Sequence, residues 1–152
     1  MQRDVAKMRT KPFKPHTILW ADDDSDDLHI VKEVIDRIDP RHQMLEANNG
    51  KQALDYLHSV EFPEQLPCLV VLDINMPILN GKDALVLIKN NRRFDGVAVV
   101  VFTTSSNEKD RQFCRQFGVE MFSKPHTYSE FEEMVGKLLT YCKLDHTQAA
   151  FN

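Results

Sequence analysis

Reactive side chains directly follow four apolar segments of this 152-residue sequence. Asp22 and Asp23 follow TILWA, Asp73 follows LVVL, Thr103 follows VAVVVF and Lys124 follows VEMFS. Carboxylates that share one pocket repel one another unless a cation lies between them. Mg²⁺ prefers oxygen ligands of this kind, and we expect Mn²⁺ to substitute for it. The three aspartates therefore predict a divalent metal site, provided that the segments bring them together.

The same set of residues predicts chemistry on a phosphoryl group. A carboxylate such as that of Asp73 can attack phosphorus and form an acyl phosphate. A cation beside Asp73 would bridge to one phosphoryl oxygen, while the Lys124 ammonium and the Thr103 hydroxyl would contact the other two. We therefore predict Asp73 as the nucleophile, Lys124 as the positive clamp and Thr103 as the hydroxyl contact.

The segments that must position these residues alternate with amphipathic segments, a pattern typical of βαβ units. The predicted strands are Thr17–Ala21, Gln43–Ala47, Leu69–Leu72, Val97–Phe102 and Val119–Ser123. Helices are predicted after the cap candidates Asp24 and Ser25, over Lys51–Ser59, Lys82–Asn91 and Asn107–Phe117, and after overlapping capping boxes at Thr127 and Ser129. The pattern predicts an α/β fold, a doubly wound five-stranded parallel sheet in the order 2-1-3-4-5 with helices on both faces. The second strand alternates in polarity and should lie at an edge, and the first and third strands should bring the aspartates together.

Length and charge indicate one domain with polar ends. Residues 1–16 carry five basic residues against one acidic residue and are predicted to be a flexible basic arm, residues 17–142 the domain, and residues 143–152 a tail. The chain carries no nucleic-acid recognition motif, so nucleic acid is not an expected partner. No apolar run approaches the roughly 18 residues of a membrane span, and a cytoplasmic location without membrane contact is expected. The three cysteines are widely spaced without a C-x-x-C pair, which favours reduced, buried thiols over a disulfide framework or a zinc site.

Four motifs, in their order and spacing, resemble the receiver domains of two-component response regulators. They are ILWADDD (18–24), VVLDINMPILNG (70–81), VVVFTTSS (99–106) and FSKP (122–125). The resemblance extends over about Thr17 to Cys142 and implies a flavodoxin-like receiver fold. Because no effector domain is evident, the chain resembles a stand-alone regulator, similar to the phytochrome-associated or chemotaxis type.

The resemblance also implies a role for each candidate site residue. Asp73 would be the phosphorylated residue, Asp23 a direct metal ligand, Asp22 a ligand through water, and Asn75 the source of a backbone carbonyl ligand. Thr103 and Lys124 would form the pair that senses the phosphoryl group.

Two positions of the fifth strand region carry further expectations from the resemblance. The peptide bond between Lys124 and Pro125 should be cis. Met121 occupies a switch position where an aromatic residue is usual, so an aromatic in/out movement is not expected, and Phe122 should face the core instead.

A phosphoacceptor of this family would receive its phosphoryl group from a sensor histidine kinase. A histidine phosphotransfer protein and a second copy of the chain are further candidate partners. The protein would be a switch that assists its own phosphorylation and dephosphorylation, and not an enzyme in the usual sense.

Two alternatives remain open at this stage. A Mg²⁺-dependent phosphohydrolase similar to the haloacid dehalogenases also uses an aspartate at a strand end, but it generally needs D-x-D, and this chain has Asp73-Ile74-Asn75. An Asn side chain cannot exchange protons near neutral pH. The other alternative is a receiver-like binding module that works without phosphorylation.

Overall fold

Strands and α-helices alternate along residues 16–142, the part of the chain that the computed structural model describes. The elements are β1 (His16–Ala21), α1 (Ser25–Ile38), β2 (His42–Ala47), α2 (Gly50–Ser59), β3 (Leu69–Leu72), α3 (Gly81–Lys89), β4 (Ala98–Thr103), α4 (Glu108–Gln116), β5 (Glu120–Ser123) and α5 (Tyr128–Leu139), with short 3₁₀ turns at Pro63–Gln65 and Arg92–Phe94. The predicted basic arm, apart from His16, and the predicted tail lie outside the described residues. Within residues 16–142, no helix is both long and apolar enough to cross a membrane.

The five strands are parallel and lie in the order β2-β1-β3-β4-β5, which confirms the predicted topology. Strand β3 is fully buried along its length, as its uninterrupted apolar sequence requires of a strand covered on both faces. Strand β2 pairs with β1 and has exposed or half-buried residues at its centre, so its predicted edge position is also confirmed.

Two apolar clusters hold the helices against the sheet. Helices α2, α3 and α4 pack on one face, and helices α1 and α5 pack on the other. Trp20 of β1 lies in the second cluster and meets Phe102 of β4 edge to face, with ring centroids 5.3 Å apart. Because Asp22 directly follows β1 and Thr103 is the last residue of β4, this dense packing fixes the backbone from which the polar site is built.

A polar side chain caps the start of each α-helix. The capping residues are Asp24, Asn49, Asn80, Asn107 and Thr127, and each accepts a hydrogen bond from a backbone amide of the first turn. Such a cap is worth about 1 kcal/mol. Thr127, and not Ser129, caps α5. Because each cap fixes the first residue of its helix, it also fixes the end of the preceding loop at the carboxyl edge of the sheet.

The expectation that all three cysteines are reduced is wrong. Cys68 and Cys142 form a disulfide with Cα atoms 5.2 Å apart, while Cys114 is a buried free thiol. The two bridged residues are 74 positions apart in sequence. Spacing did not indicate the bond because Cys68 precedes β3 and Cys142 follows α5, and only the tertiary fold brings these two ends together.

Candidate metal and phosphoacceptor site

Three aspartates meet at the carboxyl ends of β1 and β3. Strand pairing places Ala21 opposite Leu72, and the Asp73 amide donates a hydrogen bond to the Ala21 carbonyl at 2.9 Å. Asp22 is completely buried, Asp73 is almost completely buried, and Asp23 is exposed. One carboxylate oxygen of each lies within 4.8 Å of those of the other two. The predicted convergence of the acidic residues is therefore present.

The Lys124 ammonium lies among three carboxylates. Its Nζ is 2.6 Å from Asp22 Oδ2, 2.9 Å from Asp27 Oδ2 and 3.3 Å from Asp73 Oδ2. The lysine follows β5, and its backbone amide donates to the Thr103 carbonyl at 2.9 Å, which ties the end of β5 to the end of β4. The structure thus brings together Lys124 and Asp73, as the sequence predicted.

Burial and charge act in opposite directions on these groups. Burial raises the pKa of Asp22 to about 6, although the Lys124 hydrogen bond and the Asp24 backbone amide oppose the shift. Burial lowers the pKa of Lys124, but the hydrogen bonds to Asp22 and Asp27 outweigh it and leave the pKa above its ordinary value. Lys124 therefore stays an ammonium at neutral pH, while the buried carboxylates beside it hold an excess of negative charge.

The acidic cluster fits a hard divalent cation. Asp73 Oδ1 is buried and accepts no hydrogen bond from the described residues. At metal–oxygen distances of about 2.0–2.1 Å, oxygens around octahedral Mg²⁺ lie about 3–4 Å apart, so three carboxylates within 4.8 Å need little movement to share an ion. Asn75 follows two residues after Asp73 and has an exposed side chain. The role of its carbonyl stays a prediction.

Thr103 is completely buried at the end of β4, and its hydroxyl accepts a hydrogen bond from the Ser105 amide at 3.2 Å. The Ser105 hydroxyl in turn donates to Asp110 Oδ2 at 2.5 Å, and Asp110 Oδ1 pairs with the Lys82 ammonium. The hydrogen bond from Lys82 makes the largest contribution to lowering the pKa of Asp110, and the hydrogen bond from Ser105 makes the next largest. This chain of contacts connects the loop after Thr103 to the first turns of α3 and α4.

Sequence reasoning missed Asp27 and the Lys82–Asp110 pair. Asp27 lies in the first turn of α1, where an acidic residue is already explained by the helix dipole. Lys82 and Asp110 begin different helices, and their contact depends on how α3 and α4 pack. No local spacing distinguishes these residues from ordinary charged residues at the surface.

The prediction of a cis peptide bond before Pro125 is wrong, since no cis peptide bond occurs in residues 16–142. A trans bond before proline is intrinsically favoured by about 0.5–1 kcal/mol. With this trans bond the Lys124 side chain still reaches Asp73 and its amide still donates to Thr103.

The two residues at the centre of β5 face opposite sides of the sheet. Met121 packs against the cluster formed with α2, α3 and α4, and Phe122 packs against the cluster formed with α1 and α5. Phe122 therefore faces the core, as predicted. The role of Met121 as a switch residue stays a prediction.

The loop between β3 and α3 needs glycine at one position. A Cβ on Gly81 would overlap the Asp73 carbonyl oxygen, and the Gly81 amide donates to the Ile74 carbonyl at 2.8 Å. In the same loop Ile78 has a φ of 70° and its side chain is 77% exposed. A β-branched residue in this region is strained by about 1–3 kcal/mol. The loop beside the phosphoacceptor candidate is thus tightly constrained.

Comparison with known proteins identifies the class of this fold and site. The family model of the response regulator receiver domain matches residues 18–136. This chain belongs to the response regulator receiver domain family, a family of signalling switches of two-component systems that are generally not enzymes and that bind Mg²⁺.

Individual relatives agree with this assignment. Stress response regulator protein 1 of Candida albicans is 27% identical over 115 residues, which are 75% of this chain and 39% of that protein. This chain therefore spans well under half of that relative's length. Response regulator Rcp1 of Synechocystis is 34% identical over 98 residues, 63% of this chain and 67% of that protein.

Solved structures share the fold. The Mn²⁺-bound form of response regulator Rcp1 has a TM-score of 0.74 and 29% identity, covering 83% of this chain and 93% of that one. The phosphorylated cyanobacterial phytochrome response regulator RcpA has a TM-score of 0.75 and 24% identity, covering 83% of this chain and 92% of that one. In fold the chain is similar to phytochrome-associated response regulators.

Proposed function

We propose that this protein is a stand-alone response regulator that accepts a phosphoryl group on Asp73 from a sensor histidine kinase in the cytoplasm. The observation that carries the proposal is the 3.3 Å contact between Lys124 Nζ and Asp73 Oδ2, beside the cluster of Asp22, Asp23 and Asp73. A nucleophilic carboxylate, a neighbouring ammonium and a cation site are the parts that phosphoryl transfer to a carboxylate needs.

In the proposed reaction a carboxylate oxygen of Asp73 attacks the phosphorus of a phosphohistidine. The phosphorus–oxygen bond forms as the phosphorus–nitrogen bond breaks, and the imidazole keeps the electron pair and takes up a proton. Lys124 and Thr103 contact the transferred phosphoryl oxygens. Asp22, Asp23, Asp73 and the Asn75 carbonyl would hold Mg²⁺, or Mn²⁺ in its place, and the bound ion would supply positive charge to offset that of the phosphoryl group.

The output of the switch follows from the position of Lys124 and Thr103. An added phosphoryl group draws both residues toward Asp73, and their backbones, linked by the Lys124–Thr103 hydrogen bond, carry the change to α4, β5 and α5. A bias of about 1–3 kcal/mol between two existing conformations is enough for such a response. A histidine phosphotransfer protein and a second copy of this chain are the candidate partners at this surface.

The aromatic residues near this surface differ in their surroundings. Phe113 and Phe117 of α4 are half-buried and their ring centroids lie 5.1 Å apart. Tyr128 at the start of α5 accepts a hydrogen bond from Arg37 of α1 at 2.7 Å. Phe113 and Phe117 are therefore better placed than Tyr128 to report a change between α4 and β5.

The test is phosphorylation by acetyl phosphate with Mg²⁺, followed by phosphate-affinity electrophoresis and intact mass. We expect one phosphoryl group on the wild-type protein, none without Mg²⁺, and none on Asp73→Asn. Asp26→Asn is the matched control, because Asp26 lies in the same acidic stretch but is exposed and outside the cluster.

Two results would contradict the proposal. Labelling of Asp73→Asn at the wild-type rate would remove Asp73 as the acceptor. An unlabelled wild-type protein, under conditions that label a control receiver domain, would favour a binding module that needs no phosphorylation. The phosphohydrolase alternative is set aside, because the chain belongs to the receiver family and has Asn75 where that chemistry needs a second Asp.

A further inference from the structure

A second cluster of metal-binding side chains lies at the opposite end of the sheet from the aspartates. His16, Cys68 and Cys142 each place one ligand atom within 4.8 Å of those of the other two. His16 begins β1 and Cys68 precedes β3, whereas Asp22 and Asp73 follow the same two strands. Six residues of strand at about 3.3 Å each separate the two clusters by about 20 Å. The second cluster is therefore independent of the proposed phosphorylation site.

The two cysteines of this cluster form a disulfide, and a disulfide has no thiolate to offer a metal ion. Reduction by a dithiol supplies two electrons and two protons, which converts the bridge to two thiols as the dithiol closes to its own disulfide. A divalent cation that binds both sulfurs as thiolates then releases the two protons. In a reducing cytoplasm, where we propose this protein works, the thiol pair is the expected form.

Two thiolates and an imidazole are the donors that Zn²⁺ prefers. With Zn–S bonds of about 2.3 Å and Zn–N bonds of about 2.0–2.1 Å, a tetrahedral ion needs its sulfurs about 3.8 Å apart and each sulfur about 3.6 Å from the nitrogen. The three ligand atoms already lie within 4.8 Å of one another, and the Cα atoms of the cysteines are 5.2 Å apart. Once the bridge is reduced, rotation of the two cysteine side chains moves the sulfurs apart, toward this geometry.

The fourth position of such an ion has room for a ligand. A cavity of about 430 Å³ is lined by His16, Cys68, Asp95, Gly96, Val97, Ala98 and Tyr141, while Cys142 is buried beside it. A cavity of this size holds water, and it gives an ion a path to His16 and Cys68. Three protein ligands with a water at the fourth position is a common arrangement for Zn²⁺.

We propose that His16, Cys68 and Cys142 form a zinc(II) site that binds metal when the cysteine pair is reduced and is closed by the disulfide when the pair is oxidised. Cys142 follows α5, while the other two ligands belong to β1 and to the start of β3. Either the disulfide or the metal therefore ties the end of the last helix to the sheet.

The test uses the full chain, which is first reduced with a phosphine and then stripped of metal with a chelator. The phosphine is oxidised to its oxide and takes the oxygen atom from water. The chain is titrated with Co²⁺ and afterwards with Zn²⁺. Cobalt bound to thiolates gives a charge-transfer absorption that the carboxylates of the other cluster cannot give. We expect the reduced chain to bind one Co²⁺ with this absorption, and we expect Zn²⁺ to displace the Co²⁺. The oxidised protein should show no such absorption.

Variants identify the ligands. Cys68→Ser and Cys142→Ser should abolish the absorption, and His16→Gln should weaken binding by a factor of about ten or more, because it removes one of three protein ligands. Cys114→Ser is the matched control and should keep the absorption, since Cys114 lies outside the cluster. Circular dichroism checks that each reduced protein is folded.

The proposal is overturned if the reduced, folded wild-type protein shows no cobalt–thiolate absorption, or if the absorption survives in Cys142→Ser. A His16→Gln variant that binds as tightly as the wild type would also overturn the three-ligand site. Loss of the absorption in Cys114→Ser while the fold is retained would place the metal elsewhere.

Discussion

At the scale of single residues, the site depends on how one ammonium is shared. Lys124 contacts Asp27 at 2.9 Å and Asp73 at 3.3 Å, so the shorter of these two contacts is with a residue outside the metal-binding trio. Asp27 is only partly buried, in the first turn of α1. It therefore competes with the phosphoacceptor for the lysine and adds negative charge close to an incoming phosphoryl donor.

Replacing Asp27 tests this competition. In Asp27→Asn one negative charge is removed and Lys124 is freed for the phosphoryl group, and both effects favour phosphorylation. We expect the rate of labelling by acetyl phosphate to rise about threefold or more, as a charge less than 10 Å away at an effective dielectric of about 20 allows. Asp26→Asn, the exposed neighbour, should leave the rate unchanged. An equal rate in Asp27→Asn would contradict the competition, and a lower rate would show that this contact supports the reactive position of Lys124.

At the scale of secondary-structure elements, two glycines differ in the space that surrounds them, and therefore in whether a larger residue fits. Gly136 lies inside α5, and a Cβ built there meets no atom within 4 Å outside the helix's own nearby backbone. A Cβ on Gly81, at the start of α3, would overlap the backbone of Asp73 and Ile74. The same substitution should therefore have opposite effects in the two helices.

We expect Gly136→Ala to raise the free energy of unfolding by about 0.5–1 kcal/mol, because alanine loses less backbone entropy in a helix. Gly81→Ala should lower it and should also slow phosphorylation of Asp73, because the loop carrying Asp73 must move. Urea unfolding followed by the fluorescence of Trp20, the single tryptophan, measures the first effect, and acetyl phosphate labelling measures the second. A stable Gly81→Ala variant with a normal labelling rate would contradict the steric argument.

The elements were predictable from sequence where local physics decides them. The apolar run Leu69–Leu72 and the cap residues Asp24 and Thr127 set element boundaries to within about a residue, because burial and capping act over a few positions. The meeting of Asp73 and Lys124 followed from the strand order. The contact of Lys124 with Asp27 did not, because it depends on the helix packing.

At the scale of the whole molecule, the disulfide is a covalent link that the sequence did not indicate. It joins the residue before β3 to the residues after α5, across a sequence separation of 74. Helix α5 is the last element of the described chain and packs beside α1 on one face of the sheet. In the unfolded chain, the covalent link keeps the segment that forms this helix close to the segment that forms β3.

Reduction of this bond should therefore lower the free energy of unfolding by about 2–4 kcal/mol, since the bridge closes a loop of this length and restricts the conformations of the unfolded chain. Urea titrations with and without a phosphine reductant, in the presence of a chelator, measure the difference through Trp20 fluorescence, and thiol counting checks that reduction is complete. The Cys68→Ser, Cys142→Ser double variant should show no response to the reductant. If the wild-type midpoint is equally insensitive, the bridge does not stabilise the fold, and α5 is held by noncovalent contacts such as the packing of Phe131, Val135 and Leu138.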